Sequence, residues 1–445
     1  MDKLLLVNGR VVNDGRIVER DILIVGDRIE QIDSQLSDPQ AEVFDLNGSH
    51  VLPGVIDDQV HFRDPGHPDK ATIASESRAA IAGGVTSFFD MPNTKPATID
   101  RSALVNKKHI AKVGSHANYA FYLGATNTNL EEIKLATSRD ACGIKVFMGA
   151  STGNMLVDDR DVLSGIFANA SLPVVTHCED SPMIWAAENQ YRARYGDATP
   201  MSAHPLIRSA DACYKSSSFA VGLAKRYGTK LHVLHLTTAK ELALFSAGPI
   251  QDKQITVEAC VHHLWFDDSD YESLGAKIKC NPAIKTAADR EALVKAVVDD
   301  VIDVIATDHA PHTAEEKARN YFEVPSGLPL VQHMLPALLE QYKQGLFTLE
   351  KIVQKTAHNP AILFNVKDRG FVREGYFADL AIVDLAGKTT VTPEQLLYRC
   401  GWSPFEGRQF NSEIVMTICN GSIVFRDGQI NEQPLGREIE FLRLN

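Results

Sequence analysis

The segment VLPGVIDDQVHFRDPG, residues 51–66, decides the fold. Its first half is apolar and β-branched, interrupted by Pro53 and Gly54, as is typical of a buried strand. Its second half is polar, and His61 and Arg63 are two positions apart, so they face the same side of an extended chain. A buried strand that ends in polar residues is typical of the catalytic rim of an α/β barrel. A strand that runs into a solvated loop would explain the charges but not this spacing.

Strand-like and helix-like segments alternate after this point. Apolar segments that fit strands lie at residues 55–62, 85–91, 118–123, 143–148, 173–177, 230–236, 255–259 and 303–307. Eight strands close a (β/α)8 barrel, so we predict the α/β fold class with a TIM-type barrel. An open, doubly wound sheet fits less well, because no G-x-G-x-x-G motif follows an early strand.

Both ends of the chain consist of short strand-like runs and turns. The turn dipeptides include Asn8-Gly9 near one end and Asn420-Gly421 near the other. Neither end is large enough to hold a good core alone, so we expect the two to pair. We therefore predict a discontinuous β-sandwich domain from residues 1–53 and 375–445, and a barrel domain from residues 54–374.

Composition limits the classes of function. The chain has 45 Lys and Arg against 57 Asp and Glu, and the net charge of −12 argues against a nucleic-acid surface. The sequence contains neither a membrane-length apolar run nor a signal-peptide core. Seven cysteines without a C-x-x-C pair indicate reduced thiols. We expect a cytoplasmic homo-oligomer with a small-molecule substrate and no nucleic-acid or membrane partner.

Polar residues at the ends of separate strands indicate a metal site. His61 lies at the first strand, His177 at the fifth, His235 at the sixth and Asp308 at the eighth. The C-terminal ends of barrel strands meet at one rim, and imidazole with carboxylate suits zinc. A single histidine at a strand end is usually structural, but this coincidence across four strands favours a metal.

Three other histidines receive no ligand role. His232 lies three residues before His235, so only the one nearer the rim is expected to bind metal. His262 and His263 are adjacent, so we expect them to point to opposite faces.

Lys145 lies in the apolar segment IKVF, residues 144–147. A buried lysine is costly unless it is paired or its pKa falls far enough for the amine to be neutral. A neutral amine is a nucleophile, and its carbon dioxide adduct is a carbamate that can bridge two metal ions. The alternative is a lysine that extends to the rim and pairs with a carboxylate. Spacing alone leaves both interpretations open.

Seven motifs follow one another over most of the chain. They are HFRDPG from residue 61, DMPNT from 90, GIKVFMG from 143, VVTHCED from 174, the strand ending at His235, KCNPAIK from 279 and ATDHAPH from 306. In this order they resemble the cyclic amidohydrolases, and among them the dihydroorotases. The resemblance implies a metal-dependent barrel that interconverts N-carbamoyl-L-aspartate and L-dihydroorotate in pyrimidine (UMP) synthesis.

The resemblance also implies roles for individual residues. One or two zinc ions per chain are expected, with His177 and His235 on one, His61 and Asp308 on the other, and carbamylated Lys145 between them. Asp308 would act as general base and then as general acid. Six further residues are implied to contact the substrate: Arg63, Asn93 and His312 at its carboxylate, and Asn281 with the backbone near Ser326 and Gly327 at its ring amides.

Arg63 separates this function from that of relatives acting on hydantoins, because a guanidinium can bind a carboxylate through two hydrogen bonds. The alternative role for Arg63 is an ion pair with Asp64. The family's first strand usually carries His-x-His, whereas this chain has Gln59 in place of the first histidine. An amide oxygen is a weaker zinc ligand, so metal at this strand is expected to be loosely bound, different or absent.

Two alternative functions stay open. One is a related cyclic amidase of the hydantoinase or allantoinase type. The other is a non-catalytic, dihydroorotase-like partner of aspartate transcarbamoylase. The loops Ala150–Met155 and His312–Pro329 are candidate lids, or plain connections.

Overall fold

The computed structural model describes residues 3–149 and 155–442. Its first region contains the strands β1 (Lys3–Asn13), β2 (Arg16–Val25), β3 (Arg28–Asp33), β4 (Glu42–Asp45) and β5 (His50–Pro53). The first half of β1 pairs with β4 and the second half with β5, both in parallel. The predicted turn at Asn8-Gly9 is wrong: these residues lie inside β1, where the register with β2 is irregular. A side chain at position 9 would meet Leu46 at 2.9 Å, which explains the glycine.

The barrel strands follow in the predicted order. They are β6 (Val55–Val60), β7 (Val85–Asp90), β8 (Asn118–Phe121), β9 (Leu123–Gly124), β10 (Ile144–Phe147), β11 (Val174–His177), β12 (Leu231–Val233), β13 (Ile255–Cys260) and β14 (Val304–Ala306). β8 and β9 are the two parts of the third strand, separated by Tyr122. Neighbouring strands are parallel, and Val60 also bridges His309 beyond β14. The predicted TIM-type barrel is confirmed.

Helices connect the strands and follow the last of them. They are α1 (Ile73–Ala82), α2 (Arg101–Gly114), α3 (Leu130–Leu135), α4 (Arg160–Asn169), α5 (Ser181–Tyr195), α6 (His204–Ile207), α7 (Ala210–Tyr227), α8 (Val261–Trp265), α9 (Tyr271–Leu274), α10 (Ala287–Val298), α11 (Ala314–Lys317), α12 (Met334–Lys343), α13 (Leu349–Val353) and α14 (Asn359–Phe364). Thr72 caps α1 and Ser209 caps α7, each accepting a backbone N–H of the first turn. None of the described helices combines the length and the apolar character that a membrane crossing requires.

Six strands follow the helices. They are β15 (Leu380–Asp384), β16 (Thr389–Thr390), β17 (Gln409–Phe410), β18 (Glu413–Cys419), β19 (Ser422–Arg426) and β20 (Gln429–Ile430). β16 and β17 form a separate two-stranded sheet, and the other four return to the first region. β15 pairs antiparallel with both β5 and β18, so strands from the two ends share one nine-stranded sheet. Ile22, Ile382 and Ile418 belong to one buried cluster on this sheet. The β domain built from both ends is confirmed, and its boundaries stay a prediction.

A separate apolar cluster fills the barrel interior. Ile56, Phe89, Tyr122 and Val175 come from four barrel strands, and Phe364 of α14 packs with them. These positions precede the polar residues at the ends of the same strands. The apolar interior therefore supports a polar rim.

Candidate active site

A cavity of about 460 Å³ lies at the C-terminal ends of the barrel strands. It is lined by all eleven residues that the sequence singled out: His61, Arg63, Asn93, Lys145, His177, His235, Asn281, Asp308, His312, Ser326 and Gly327. A larger cavity of about 810 Å³, near α13 and α14, contains none of them. The structure thus brings the predicted residues together, while their separate roles stay predictions.

Two of the predicted ligands, His177 and His235, are in direct contact. Nδ1 of His177 lies 3.0 Å from Nε2 of His235. The other nitrogen of His177 lies 2.7 Å from Glu179, which is ion-paired with the buried Arg208. A carboxylate that orients the second nitrogen is common behind metal-binding histidines. Strand-end spacing predicts no role for Glu179 and Arg208, although Glu179 stands two residues after His177.

His61 and Asp308 form a second pair. Nε2 of His61 lies 3.1 Å from Oδ1 of Asp308, and its Nδ1 lies 2.7 Å from Oδ1 of Asn93. Burial lowers the pKa of His61, so the ring is neutral near pH 7. Burial alone would raise the pKa of Asp308, but its contact with His61 holds it below its usual value. The pair therefore combines a neutral imidazole with an ionised carboxylate.

Lys145 is fully buried on β10. Its amine has no hydrogen-bond partner among residues 3–149 and 155–442, and it lies 4.6 Å from the ring centre of Phe147. Burial lowers the pKa of Lys145 to about 8. No carboxylate of the described residues pairs with the amine, which argues against the ion-pair interpretation, and the lowered pKa makes the neutral amine more populated than in an exposed lysine.

These donors fit a metal ion. Ligand atoms bonded at about 2.1 Å to one ion are separated by about 3.0–3.4 Å, depending on the coordination geometry. The contacts of 3.0 Å between the two histidines and 3.1 Å between His61 and Asp308 lie in this range. Within the described chain, Nδ1 of His235 and the amine of Lys145 also lack hydrogen-bond partners.

Two other groups have donor atoms within 4.8 Å of one another: Cys260 with His262 and His263, and Asp58 with His232 and Glu258. The expectation that His262 and His263 point to opposite faces is wrong. Both lie in α8, where adjacent residues are about 100° apart rather than 180°, and their ring centres are 4.0 Å apart. His263 already contacts the carbonyl of Pro282 at 3.0 Å.

Arg63 lies at the other end of the cavity. Its Nε donates to the carbonyl of Pro311 at 3.2 Å, and an Nη lies 3.1 Å from Nε2 of His312. Within the described residues, no carboxylate lies within 4.0 Å of this guanidinium. The alternative ion pair with Asp64 is not formed, because Asp64 accepts the N–H of Ile73 instead.

The imidazole ring of His312 is neutral, and both of its nitrogens have hydrogen-bond partners. Burial lowers the pKa of His312 to about 3. Its Nδ1 lies 3.2 Å from the amine of Lys70 and accepts from it, and its Nε2 donates to the carbonyl of Ser326 at 3.1 Å. An Nε2 that already donates is a poor acceptor for Arg63. The guanidinium thus keeps hydrogen-bonding capacity for a ligand.

One candidate lid contributes to the cavity wall, while the other falls largely outside the described residues. Of Ala150–Met155, only Met155 is described. The segment His312–Pro329 contains α11 and supplies cavity residues near its end. Gly327 has φ +145°, and a Cβ there would lie 2.3 Å from the carbonyl of Ala310. This wall therefore requires glycine.

Residues 50–424 match the profile described as the amidohydrolase family. The chain belongs to the amidohydrolase family. An allantoinase from Desulfitobacterium hafniense is 31% identical over 444 residues, which cover 98% of each chain. A dihydroorotase from Halobacterium salinarum is 35% identical over 439 residues, covering 98% of this chain and 99% of the relative. The structure of an L-hydantoinase (dihydropyrimidinase) from Arthrobacter aurescens superposes with a TM-score of 0.93 and 28% identity, covering 99% of this amidohydrolase and 100% of that chain.

These relatives bear on the predicted activity. All three are hydrolases of cyclic amides, and the match extends over the whole barrel and the β domain. The prediction that this amidohydrolase is an enzyme acting on cyclic amides is confirmed. The relatives differ in the ring that their names specify.

Proposed function

We propose that this amidohydrolase is a zinc-dependent dihydroorotase, which interconverts N-carbamoyl-L-aspartate and L-dihydroorotate in pyrimidine synthesis. Arg63 carries the proposal: it is a guanidinium in the cavity wall without a carboxylate partner in the described part of the chain. A desolvated cation is costly unless a ligand supplies the opposite charge. Dihydroorotate bears a carboxylate on its ring, whereas hydantoin and allantoin do not.

Neighbouring amides support an acidic ring as the substrate. Asn93 uses its oxygen on His61, so its NH₂ group is left to donate toward a carboxylate beside Arg63. The oxygen of Asn281 is buried and has no partner among the described residues, so it can accept from a ring N–H.

The two residues of the loop wall differ in what they can offer the substrate. The N–H of Gly327 donates to the carbonyl of Lys279, and its own carbonyl accepts from Lys317. Gly327 therefore contributes no free backbone group, and its role is to let the substrate approach the wall closely, which glycine permits. The proposed polar contact from this loop comes from the backbone of Ser326.

The proposed zinc ligands are His61, Lys145, His177, His235 and Asp308. Bound zinc would lower the pKa of a water and polarise the ring carbonyl. The free amine of Lys145 can add carbon dioxide: an N–C bond forms, a proton leaves, and the resulting carbamate offers two oxygen donors. The lowered pKa of Lys145, about 8, favours this addition because the neutral amine is more populated.

Asp308 is the proposed proton carrier. Its Oδ1 contacts His61 and accepts from Gln59, while none of the described groups hydrogen-bonds to Oδ2. In ring opening, Oδ2 takes the proton of the attacking water and gives it to the departing ring nitrogen. Ring closure reverses these two transfers.

A substrate panel tests the proposal. We expect kcat/KM for L-dihydroorotate to exceed the values for hydantoin and allantoin by about 100-fold or more, since two charge-assisted hydrogen bonds contribute about 1.5–3 kcal/mol each. Faster opening of hydantoin or allantoin would instead support the hydantoinase or allantoinase alternative, which the names of other relatives support equally. A metal-loaded protein that opens none of these rings would support the non-catalytic partner.

The assembly and location of the enzyme complete the proposal. We propose a cytoplasmic homo-oligomer that can associate with aspartate transcarbamoylase. Light scattering of the purified enzyme, alone and mixed with that protein, measures the oligomeric state and the association. A monomer whose mass does not change on mixing would contradict both.

A further inference from the structure

A buried polar cluster lies in the barrel interior, outside the cavity. It consists of Asp58 on β6, His232 on β12 and Glu258 on β13, and each residue has zero exposure. None of the three lines the cavity described above. β12 and β13 are neighbours, whereas β6 belongs to another part of the barrel wall, so the three side chains meet inside the barrel.

The three side chains face one another without hydrogen bonds. Nε2 of His232 lies 3.6 Å from Oδ2 of Asp58 and 3.5 Å from Oε2 of Glu258. Charge-assisted N–H···O bonds are about 2.7–2.9 Å long, so both separations are too long for them. Both oxygens of Asp58, Oε2 of Glu258 and Nε2 of His232 have no hydrogen-bond partner anywhere in the described chain.

The neighbours of His232 fix which nitrogen carries the proton. Its Nδ1 lies 2.8 Å from Oγ1 of Thr256, and that hydroxyl donates to the carbonyl of Leu231. Oγ1 therefore accepts from Nδ1, and Nε2 presents its lone pair to the two carboxylates. Burial raises the pKa of Asp58 and that of Glu258, the latter to about 8, so both carboxyl groups are ionised together only with a cation between them and otherwise hold protons. A histidine held through its other N–H is also the usual arrangement of a metal ligand.

We propose that Asp58, His232 and Glu258 bind a divalent cation in the barrel interior, at a site separate from the predicted zinc ligands. Around a tetrahedral ion with bonds of about 2.1 Å, ligand atoms are about 3.4 Å apart, close to the separations observed here. One imidazole and two carboxylates suit first-row ions such as Zn²⁺ or Mn²⁺. Two carboxylates also balance the charge of such an ion.

The interior ion would act on the candidate active site through Glu258. The other oxygen of this carboxylate, Oε1, accepts the backbone N–H of His235 at 3.2 Å. His235 has φ +39°, an uncommon conformation for a residue other than glycine. Fixing Oε2 on the ion would hold Glu258 still and thereby support the backbone of His235.

Anomalous diffraction from the full-length enzyme crystallised with Mn²⁺ tests the proposal directly. We expect an anomalous peak between Asp58, His232 and Glu258, distinct from any peak in the cavity. A map with peaks only in the cavity, or with none, would overturn the proposal and leave shared protons as the explanation of the cluster.

Metal content provides an independent measurement. Elemental analysis of Asp58→Asn should show about one equivalent of metal fewer than the wild type, and the exposed control Asp211→Asn should match the wild type. Equal metal content in Asp58→Asn and wild type would contradict the site. If Asp58→Asn fails to fold, the anomalous map of the wild-type enzyme decides.

Discussion

Gln59 and Asp308 are hydrogen-bonded at the mouth of the barrel, with Nε2 of Gln59 3.2 Å from Oδ1 of Asp308. The amide oxygen of Gln59 points the other way, to the thiol of Cys260 at 3.7 Å. A carboxylate can only accept and a thiol can donate, so both neighbours fix this orientation. Gln59 therefore directs its donor group, not its oxygen, toward the carboxylate that His61 contacts. In this orientation it does not replace the missing histidine ligand.

Gln59→His should strengthen metal binding at this strand, because an imidazole nitrogen would replace an amide donor. We expect the variant to retain more metal than the wild type after dialysis against a chelator, measured by elemental analysis. Gln59→Leu, which offers no ligand atom, is the matched control and should retain no more than the wild type. Equal retention in Gln59→His and Gln59→Leu would contradict the expectation.

Asp308→Asn should lower kcat by about 10²–10⁴-fold, because an amide cannot carry the proton between water and ring nitrogen. Steady-state turnover of L-dihydroorotate measures the loss. The melting temperature of the variant shows whether the fold is intact. Near-normal turnover would remove Asp308 from the proposed role.

Lys145→Met and Lys107→Met are a matched pair, since both lysines are fully buried. Lys107 is ion-paired with Asp90 at 2.5 Å and donates to the carbonyl of Met91, whereas Lys145 has no such partners in the described chain. In chelator-treated protein, Lys107→Met should lower the free energy of unfolding by about 3–5 kcal/mol, because it leaves a buried charge unpaired. Lys145→Met should not lower it, and urea unfolding measures both. A comparable loss in Lys145→Met would reveal a partner for this amine.

Lys145→Ala should also lose bound metal and activity if the carbamate is formed. A short-chain carboxylate such as acetate or propionate can enter the space that is left and supply two oxygen donors. We expect partial recovery of turnover that rises with carboxylate concentration. A variant that keeps its metal without added carboxylate would argue against the carbamate.

Arg63→Met should raise KM for L-dihydroorotate by about 10–100-fold, because charge-assisted hydrogen bonds contribute about 1.5–3 kcal/mol. Bound metal should not change, since Arg63 is not among the proposed ligands. Residual activity on hydantoin, which has no carboxylate, provides the matched substrate control and should be little affected. An unchanged KM for L-dihydroorotate would reassign Arg63.

Glu241 makes the stability of the fold depend on pH. Burial raises its pKa from 4.5 to about 7, against the lowering effect of hydrogen bonds from Ser217 and Thr238. The folded state therefore binds a proton between these pH values that the unfolded state has released. This bound proton contributes about 3 kcal/mol to the free energy of unfolding. The contribution is complete below pH 4.5 and is lost as the pH rises through 7.

Glu241→Gln should remove this part of the pH dependence. From pH 4.5 to 7.5, the unfolding free energy of the wild type, measured in urea, should fall relative to that of the variant. The exposed control Glu272→Gln should show no such trend. A pH-independent difference for Glu241→Gln would show that burial does not shift this carboxyl.

The barrel could be predicted from sequence because its strands are buried on both faces and read as continuous apolar runs. α1 begins directly after Thr72, a capping residue that is itself a local sequence signal for a helix start. The cavity could be predicted because the ends of parallel strands converge, whatever connects them. These features depend on local patterns combined with one geometric rule.

Contacts between distant segments could not be predicted in this way. Arg208 reaches Glu179 only because α5 and α6 turn the chain back, and no spacing rule encodes that return. Asp57 and Asp58 lie in the polar half of residues 51–66, but both are fully buried inside β6. Their environment comes from residues far along the chain, such as Thr307 and His232, which sequence proximity does not reveal.

The pairing of β5 with β15 has a consequence for synthesis on the ribosome. Leu52 and Ala381 are partners in this ladder, so a nascent chain exposes the edge of β5 until almost all of the polypeptide has emerged. An unpaired, apolar strand edge invites association with other chains. Translation speed and chaperone capture over the intervening barrel should therefore govern how much of this protein reaches its native form in a cell.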